Sequence, residues 1–129
     1  MFWKKKEKII DTVAITDENF DELVTRSELP VFLDFWAPWC GPCQVLGPIV
    51  DELATEFKDR VVVGKINVDK NPGLGQHFKV KSIPTMMFVK NGQLLERMAG
   101  MVPKPNLQEM LIDLVALEVP GIVNKDEEE

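Results

Sequence analysis

Residues Asp34–Val50 read DFWAPWCGPCQVLGPIV. The chain has two cysteines, and both fall in this stretch, Cys40 and Cys43, with two residues between them. Asp34 stands six residues upstream of Cys40 in an otherwise apolar run, and Pro48 follows five residues after Cys43. A Cys-x-x-Cys pair has three readings: half of a zinc site, two ordinary buried thiols, or a redox dithiol. A structural zinc site needs four ligands, and beyond the two cysteines the chain offers only one histidine, His77. Flanking Gly41 and Pro42 directly after a strand argues against ordinary core thiols. The redox dithiol is the reading that remains.

Geometry supports it. Side chains three apart on a helix have Cβ atoms roughly 5–6 Å apart, and a disulfide needs about 3.5–4.5 Å. A modest tightening of one turn closes the pair, so oxidised and reduced forms should share a backbone. A bond across so short a loop adds little loop entropy, which makes a stability framework a poor explanation. Cys40 is expected at or before the first helical turn, where unpaired N–H groups and the dipole favour a thiolate. Cys43 is expected one turn inside and more buried, holding its proton. Cys40 is then the attacker and Cys43 the resolver. For such pairs in general, a thiol brought from about 8.5 to about 7 ionises roughly 15-fold more at pH 7. Its intrinsic nucleophilicity falls about fivefold, so the net gain is only about threefold. Presentation of Cys40 and the short reach of Cys43 must supply the rest.

Resolution needs a base, and Asp34 is the candidate. Its apolar neighbours predict burial, which raises a carboxyl pKa and suits it to take the Cys43 proton, directly or through water. Lys65, in VVVGKINVD, is either its counter-charge or an ordinary exposed strand position.

The remainder of the 129-residue chain fits one domain. Apolar residues make up 45% and charged ones 28%, a globular composition. No apolar run approaches the roughly 18 residues of a membrane span. The start, MFWKKKEKIID, lacks the apolar core of a secretory signal, so the expected location is cytoplasmic, with no membrane partner. The net charge of −6 argues against nucleic-acid binding. Residues 1–9 are expected to be a flexible basic extension, 10–118 the domain, and 119–129 a solvated acidic tail.

Along the chain, TVAI near residue 13 and PVFLDFWA read as strands. Thr16 and Asp17 read as N-caps of a helix whose face carries Phe20, Leu23 and Val24. GPCQVLGPIVDELATEF reads as a helix with Pro42 in its first turn and Pro48 as an internal kink. RVVVGKINVD is β-rich, and NPGLGQHFK holds a short helix or turn. Asn91–Gly92 marks a hairpin within PTMMFVKNGQLLERMAG. Leu107, Met110, Leu111, Leu114 and Val115 line a last helix, ended by Pro120–Gly121. Met86, Met87, Met98 and Met101 read as core filler, Met101 excepted, and His77 as a helix-surface residue. This order predicts a mixed sheet between helices.

The run DFWAPWCGPC, with SIPT at 82–85 and KNG at 90–92, resembles the thioredoxin family over about residues 10–118. The resemblance implies an α/β thioredoxin fold: a central five-stranded mixed β-sheet flanked by four α-helices. It implies reversible dithiol–disulfide exchange with no bound cofactor. Electrons would come from NADPH through a flavoprotein thioredoxin reductase and pass to disulfide-containing substrates such as ribonucleotide reductase and peroxiredoxins. A monomer is implied. The family's nucleophile falls on Cys40, its resolving thiol on Cys43, its buried acid on Asp34, the paired lysine on Lys65 and the helix proline on Pro48. From sequence alone Pro84 can also be read as a strand starter; the resemblance implies a cis-proline, with the Ile83 backbone holding a substrate strand. Trp39, Gly100 and Met101 fall on the apolar substrate rim, and Trp36 under the site. Gly41–Pro42 resembles the reducing members, and their lack of histidine sets this pair apart from oxidases and isomerases. Gln44 departs from a common lysine. The rivals to a reductase are an exported oxidant or isomerase, and a non-redox interaction module that would survive loss of both cysteines.

Overall fold

The computed structural model describes residues 10–120. The expectations for segment 1–9 and for the tail from residue 121 onward lie outside the described residues.

Among the described residues, five strands form one sheet in the order β1-β3-β2-β4-β5. They are β1 (Val13–Ala14), β2 (Val31–Trp36), β3 (Val62–Asn67), β4 (Thr85–Lys90) and β5 (Gln93–Ala99). β1, β3 and β2 run parallel, and β4 and β5 are antiparallel additions. Three α-helices, α1 (Gly41–Glu56), α2 (Pro72–His77) and α3 (Lys104–Ala116), join a π-helical turn at Asp21–Thr25 as the four helical segments. This is the mixed five-stranded sheet with four helices that the motif order implied.

Alternation along the central strands divides the core in two. Phe32, Val63, Met86 and Phe88 face α1 and α3, where Leu46, Leu53, Leu107 and Leu111 cover them. Leu33, Phe35, Ile66 and Met87 face the opposite way, toward Val24 and Leu74. β2 is therefore apolar on both faces because both faces are covered. Met86 and Met87 lie in opposite cores, whereas Met101 is 45% exposed. His77 is exposed, its ring edge-on to Phe78. The hairpin turns through Asn91 (φ 52°) and Gly92 (φ 74°), both in the left-handed region the Asn-Gly pair favours.

Two terminus expectations need correction. Thr16 does cap its own turn, with Oγ1 accepting from Asn19 N–H at 3.1 Å and Asn19 Oδ1 accepting from Thr16 N–H at 2.8 Å. Asp17, however, caps a different helix. Its carboxylate accepts the N–H groups of Gly73 (3.2 Å) and Leu74 (2.8 Å) in the first turn of α2. Likewise Pro120–Gly121 does not end the last helix, which stops at Ala116. Lys90 ends it, donating to the carbonyls of Leu114 (2.8 Å), Val115 (2.9 Å) and Leu117. An ammonium with three donors meets carbonyls that a helix end leaves unpaired.

Candidate functional site

The carboxyl ends of the parallel strands β2 and β3 open on one side of the sheet, where α/β folds collect their functional groups. β2 leaves the sheet at Trp36, and Ala37–Trp39 carry the chain to Cys40. Cys40 is the N-cap of α1, with an extended backbone (φ −88°, ψ 111°). Its Sγ accepts the backbone N–H of Cys43 at 3.2 Å, so sulfur takes the part an oxygen usually plays at a cap. Pro42 lies in the first turn, where its missing N–H costs nothing. Cys40 and Cys43 are joined as a disulfide, Cα to Cα 5.2 Å.

Burial does not distinguish the two sulfurs as expected: Cys40 is 5% exposed and Cys43 4%. Direction does. Cys40 borders an outer groove of about 520 Å³ with Trp39, Pro42, Val80 and Ile83. Cys43 borders an inner cleft of about 240 Å³ with Asp34, Trp36, Gly47, Asp51 and Lys65. One cysteine lines the outer groove and the other lines the cleft that also holds the acid.

The outer groove is framed by a tied loop. The Ile83–Pro84 peptide is cis, and Cys40 Sγ lies 3.7 Å from the Ile83 carbonyl oxygen. Thr85 Oγ1 donates to Ser82 O at 2.6 Å, and Gly100 N–H donates to Pro84 O at 2.8 Å. Gly100 adopts φ 89°, a conformation other residues enter only with strain. Gly100 thus steadies the loop and Met101 stands exposed after it, while the groove wall itself comes from the 80–83 segment. Trp39 is 70% exposed, yet its indole N–H donates to Asp69 Oδ2 at 2.9 Å, which fixes the ring beside Cys40. Gln44 Nε2 donates to Pro38 O at 2.9 Å and links the first turn of α1 to the loop before it. Asp69 and the Gln44 link went unread in the sequence. Asp69 closing NVD at the carboxyl end of β3 was the available signal.

Asp34 is 1% exposed on the sheet face toward α1, between Lys65 of β3 and Met86 of β4 in register. Its Oδ1 is buried and, among the described residues, has no hydrogen-bond partner. Burial pushes its pKa from about 3.8 up to about 6; Lys65 opposes the rise and Asp51 adds to it. Lys65 thus acts on Asp34 as a counter-charge from the neighbouring strand, but its direct ion pair is with another acid. The Lys65 ammonium sits on Asp51 Oδ1 at 2.8 Å and donates to Gly47 O at 3.4 Å. The reason is reach: a strand side chain beside Asp34 points at α1, whose Gly47 and Asp51 lie directly above it. Asp51 was missed, although Cys43, Gly47 and Asp51 recur at four-residue spacing, which puts them on one helix face. Pro48 stands exposed inside α1, which continues through it to Glu56. Trp36 is half-buried along the Asp34 cleft. Among the described residues, no cluster of three or more His, Cys, Asp or Glu is arranged to hold a metal ion.

The family model for thioredoxin matches residues 11–113, nearly all of the described chain. The chain belongs to the thioredoxin family. It is 46% identical to thioredoxin 1 of Synechococcus elongatus over 98 residues, covering 76% of this chain and 92% of that protein. Thioredoxin of Haemophilus influenzae is 44% identical over 101 residues, 78% of this chain and 94% of that one. The chloroplastic M-type thioredoxin of spinach is 42% identical over 108 residues, 84% of this chain. The chain spans only 60% of the length of that spinach relative. As a thioredoxin-family protein it is a thiol–disulfide oxidoreductase, and Cys40–Cys43 is its redox-active pair. No helix among the described residues is long and apolar enough to cross a membrane.

Proposed function

We propose that this chain is a general protein-disulfide reductase in which Cys40 attacks and Cys43 resolves. The observation that carries this reading is the Cys40 sulfur capping α1 through the Cys43 N–H at 3.2 Å while bordering the outer groove. A thiolate there replaces an oxygen acceptor and meets the positive end of the helix.

The Cys40 thiolate attacks one sulfur of a substrate disulfide and expels the other as a thiolate, leaving a mixed disulfide. Asp34 carboxylate then takes the proton of the Cys43 thiol across the inner cleft, whose polar lining suits a relaying water. Cys43 sulfur attacks Cys40 Sγ, the Cys40–substrate bond breaks, and the Cys40–Cys43 bond forms. The second substrate thiolate leaves and is protonated. Two electrons have passed to the substrate, and Gly41–Pro42 keep the pair one turn apart throughout. Ile83 and the Pro84 loop are proposed to hold an extended substrate segment, with Trp39, Gly100 and Met101 on its rim. Trp36 shields the Asp34 cleft, Pro48 shapes the helix above it, and Lys65 tunes the acid.

A flavoprotein thioredoxin reductase using NADPH is proposed as the electron source, and ribonucleotide reductase and peroxiredoxins as classes of recipient. A cytoplasmic monomer, with residues 10–118 as its domain, completes the proposal. Subcellular fractionation tests the location, since some relatives bear a chloroplastic name. The deciding assay is insulin precipitation driven by dithiothreitol. The wild type should accelerate it, Cys40→Ser should abolish the acceleration, and Cys43→Ser should accumulate a stable mixed disulfide visible by mass. Undiminished activity of Cys40→Ser would refute the assignment. A redox titration against glutathione separates a reductant from an oxidant.

A further inference from the structure

The inner cleft holds three charged groups where the proton transfer just described needs one. From β2 comes Asp34, from β3 Lys65, and from α1 Asp51, with the Cys43 thiol also on α1; the β4 neighbour in register, Met86, is neutral. Lys65 has two carboxylates to choose from, and its ammonium lies 2.8 Å from Asp51. Both partners of that pair are only about one-fifth exposed, 23% for Lys65 and 20% for Asp51, so water screens the choice weakly. We propose that Asp51 is a positioning residue for the resolution step: it anchors the Lys65 ammonium on α1 and so denies that cation to the Asp34 carboxylate. This inference rests on the reading of Asp34 as the base.

Charge balance gives the reason. With Lys65 and Asp51 neutralising each other, the cleft is neutral when Asp34 holds a proton and singly negative when it does not. Proton uptake by Asp34 then removes an unbalanced buried charge, which favours the transfer. Without the Asp51 charge the balance inverts: the cleft is neutral with Asp34 ionised and positive with it protonated. Asp34 would then remain a carboxylate but a reluctant acceptor. A lysine settled directly on Asp34 would have the same effect. The geometry avoids it by putting the second acid one helical turn beyond Gly47, whose carbonyl takes another Lys65 donor at 3.4 Å.

The test is stopped-flow reaction of the reduced protein with excess 5,5′-dithiobis(2-nitrobenzoate), following the coloured thiolate. The first release reports attack by Cys40, and the second reports resolution by Cys43. In the wild type the second phase should fall away on the acid side with a midpoint set by Asp34. Asp51→Asn should move that midpoint about a unit or more toward acid and lower the plateau roughly threefold to tenfold. Asp51→Glu, which keeps the charge, should restore both. Adding Lys65→Met to Asp51→Asn should bring the midpoint back up, because the freed cation is gone. Lys65→Met alone, with Asp51 intact, should raise it, and this arm covers the case in which Asp51→Asn folds poorly. An Asp51→Asn midpoint equal to the wild type overturns the proposal. If Asp34→Asn instead leaves the acid limb of the second phase in place, the base reading itself fails, and the two failures are told apart.

Discussion

At Asp34 the requirements of catalysis and of folding pull in opposite directions. Burial lifts its pKa from about 3.8 to about 6, so between those values the folded protein holds a proton that the unfolded chain has released. Stability therefore falls as pH rises through that window, and the loss is complete above it. A rise of this size corresponds to about 3 kcal/mol at full ionisation, an order-of-magnitude figure. Asp34→Asn removes the buried charge and should stabilise the protein by about 2–3 kcal/mol at pH 8, with the gain gone below about pH 4. Urea unfolding at the two pH values measures it. A pH-independent difference would mean that the carboxyl titrates alike in both states. Sequence made this residue legible because apolar neighbours on both sides of the acid in VFLDFW favour burial over an exposed edge. It could not give the partner of Lys65, because adjacency in register and contact in space diverge once a helix supplies a second acid.

Asp17 is the counterpart at the level of elements. α2 spans only Pro72–His77, too short to be stable by itself. It is nucleated from outside: the Asp17 carboxylate accepts two of its first N–H groups, and Asn71 Oδ1 accepts the Asp17 N–H at 3.0 Å in return. Gly73 permits the approach, because a Cβ there would lie 3.0 Å from Asp17 Oδ2. Asp17→Ala should cost about 0.5–2 kcal/mol and raise hydrogen exchange at Gly73 and Leu74 well before exchange at the β2 amides. Uniform loss of protection would place Asp17 in the global core instead. The succession of elements along the chain, the hairpin and the long helices were legible from periodicity and the Asn-Gly pair, which are local signals. The Asp17 cap and the Lys90 clasp on α3 were not, since each joins segments distant in sequence. Only the folded sheet brings them together.

For the whole molecule, the question is how much of its stability depends on the bond it must break in every cycle. Cys40 and Cys43 are separated by three positions, so the closed loop is about as short as a disulfide allows. Chain entropy for such a loop gives about 2 kcal/mol in favour of the oxidised form, the low end of the usual range. The two apolar layers that carry the fold lie on both faces of the sheet and do not depend on the sulfur–sulfur bond. Domains of this size typically have about 5–15 kcal/mol of stability in total. The reduced protein should therefore remain folded. Its denaturant midpoint should fall with an unchanged slope, since the surface exposed on unfolding is nearly the same. Paired urea titrations with and without a strong reductant, read by the fluorescence of tryptophans and by far-ultraviolet dichroism, check this. The tryptophan signal tests the site, because Trp36 and Trp39 border the sulfurs, and dichroism tests the scaffold. If reduction removed more than about half of the total stability, or separated the two signals, the disulfide would be a structural clamp. A chain that lost its fold on taking up electrons could not present the Cys40 thiolate to its next substrate.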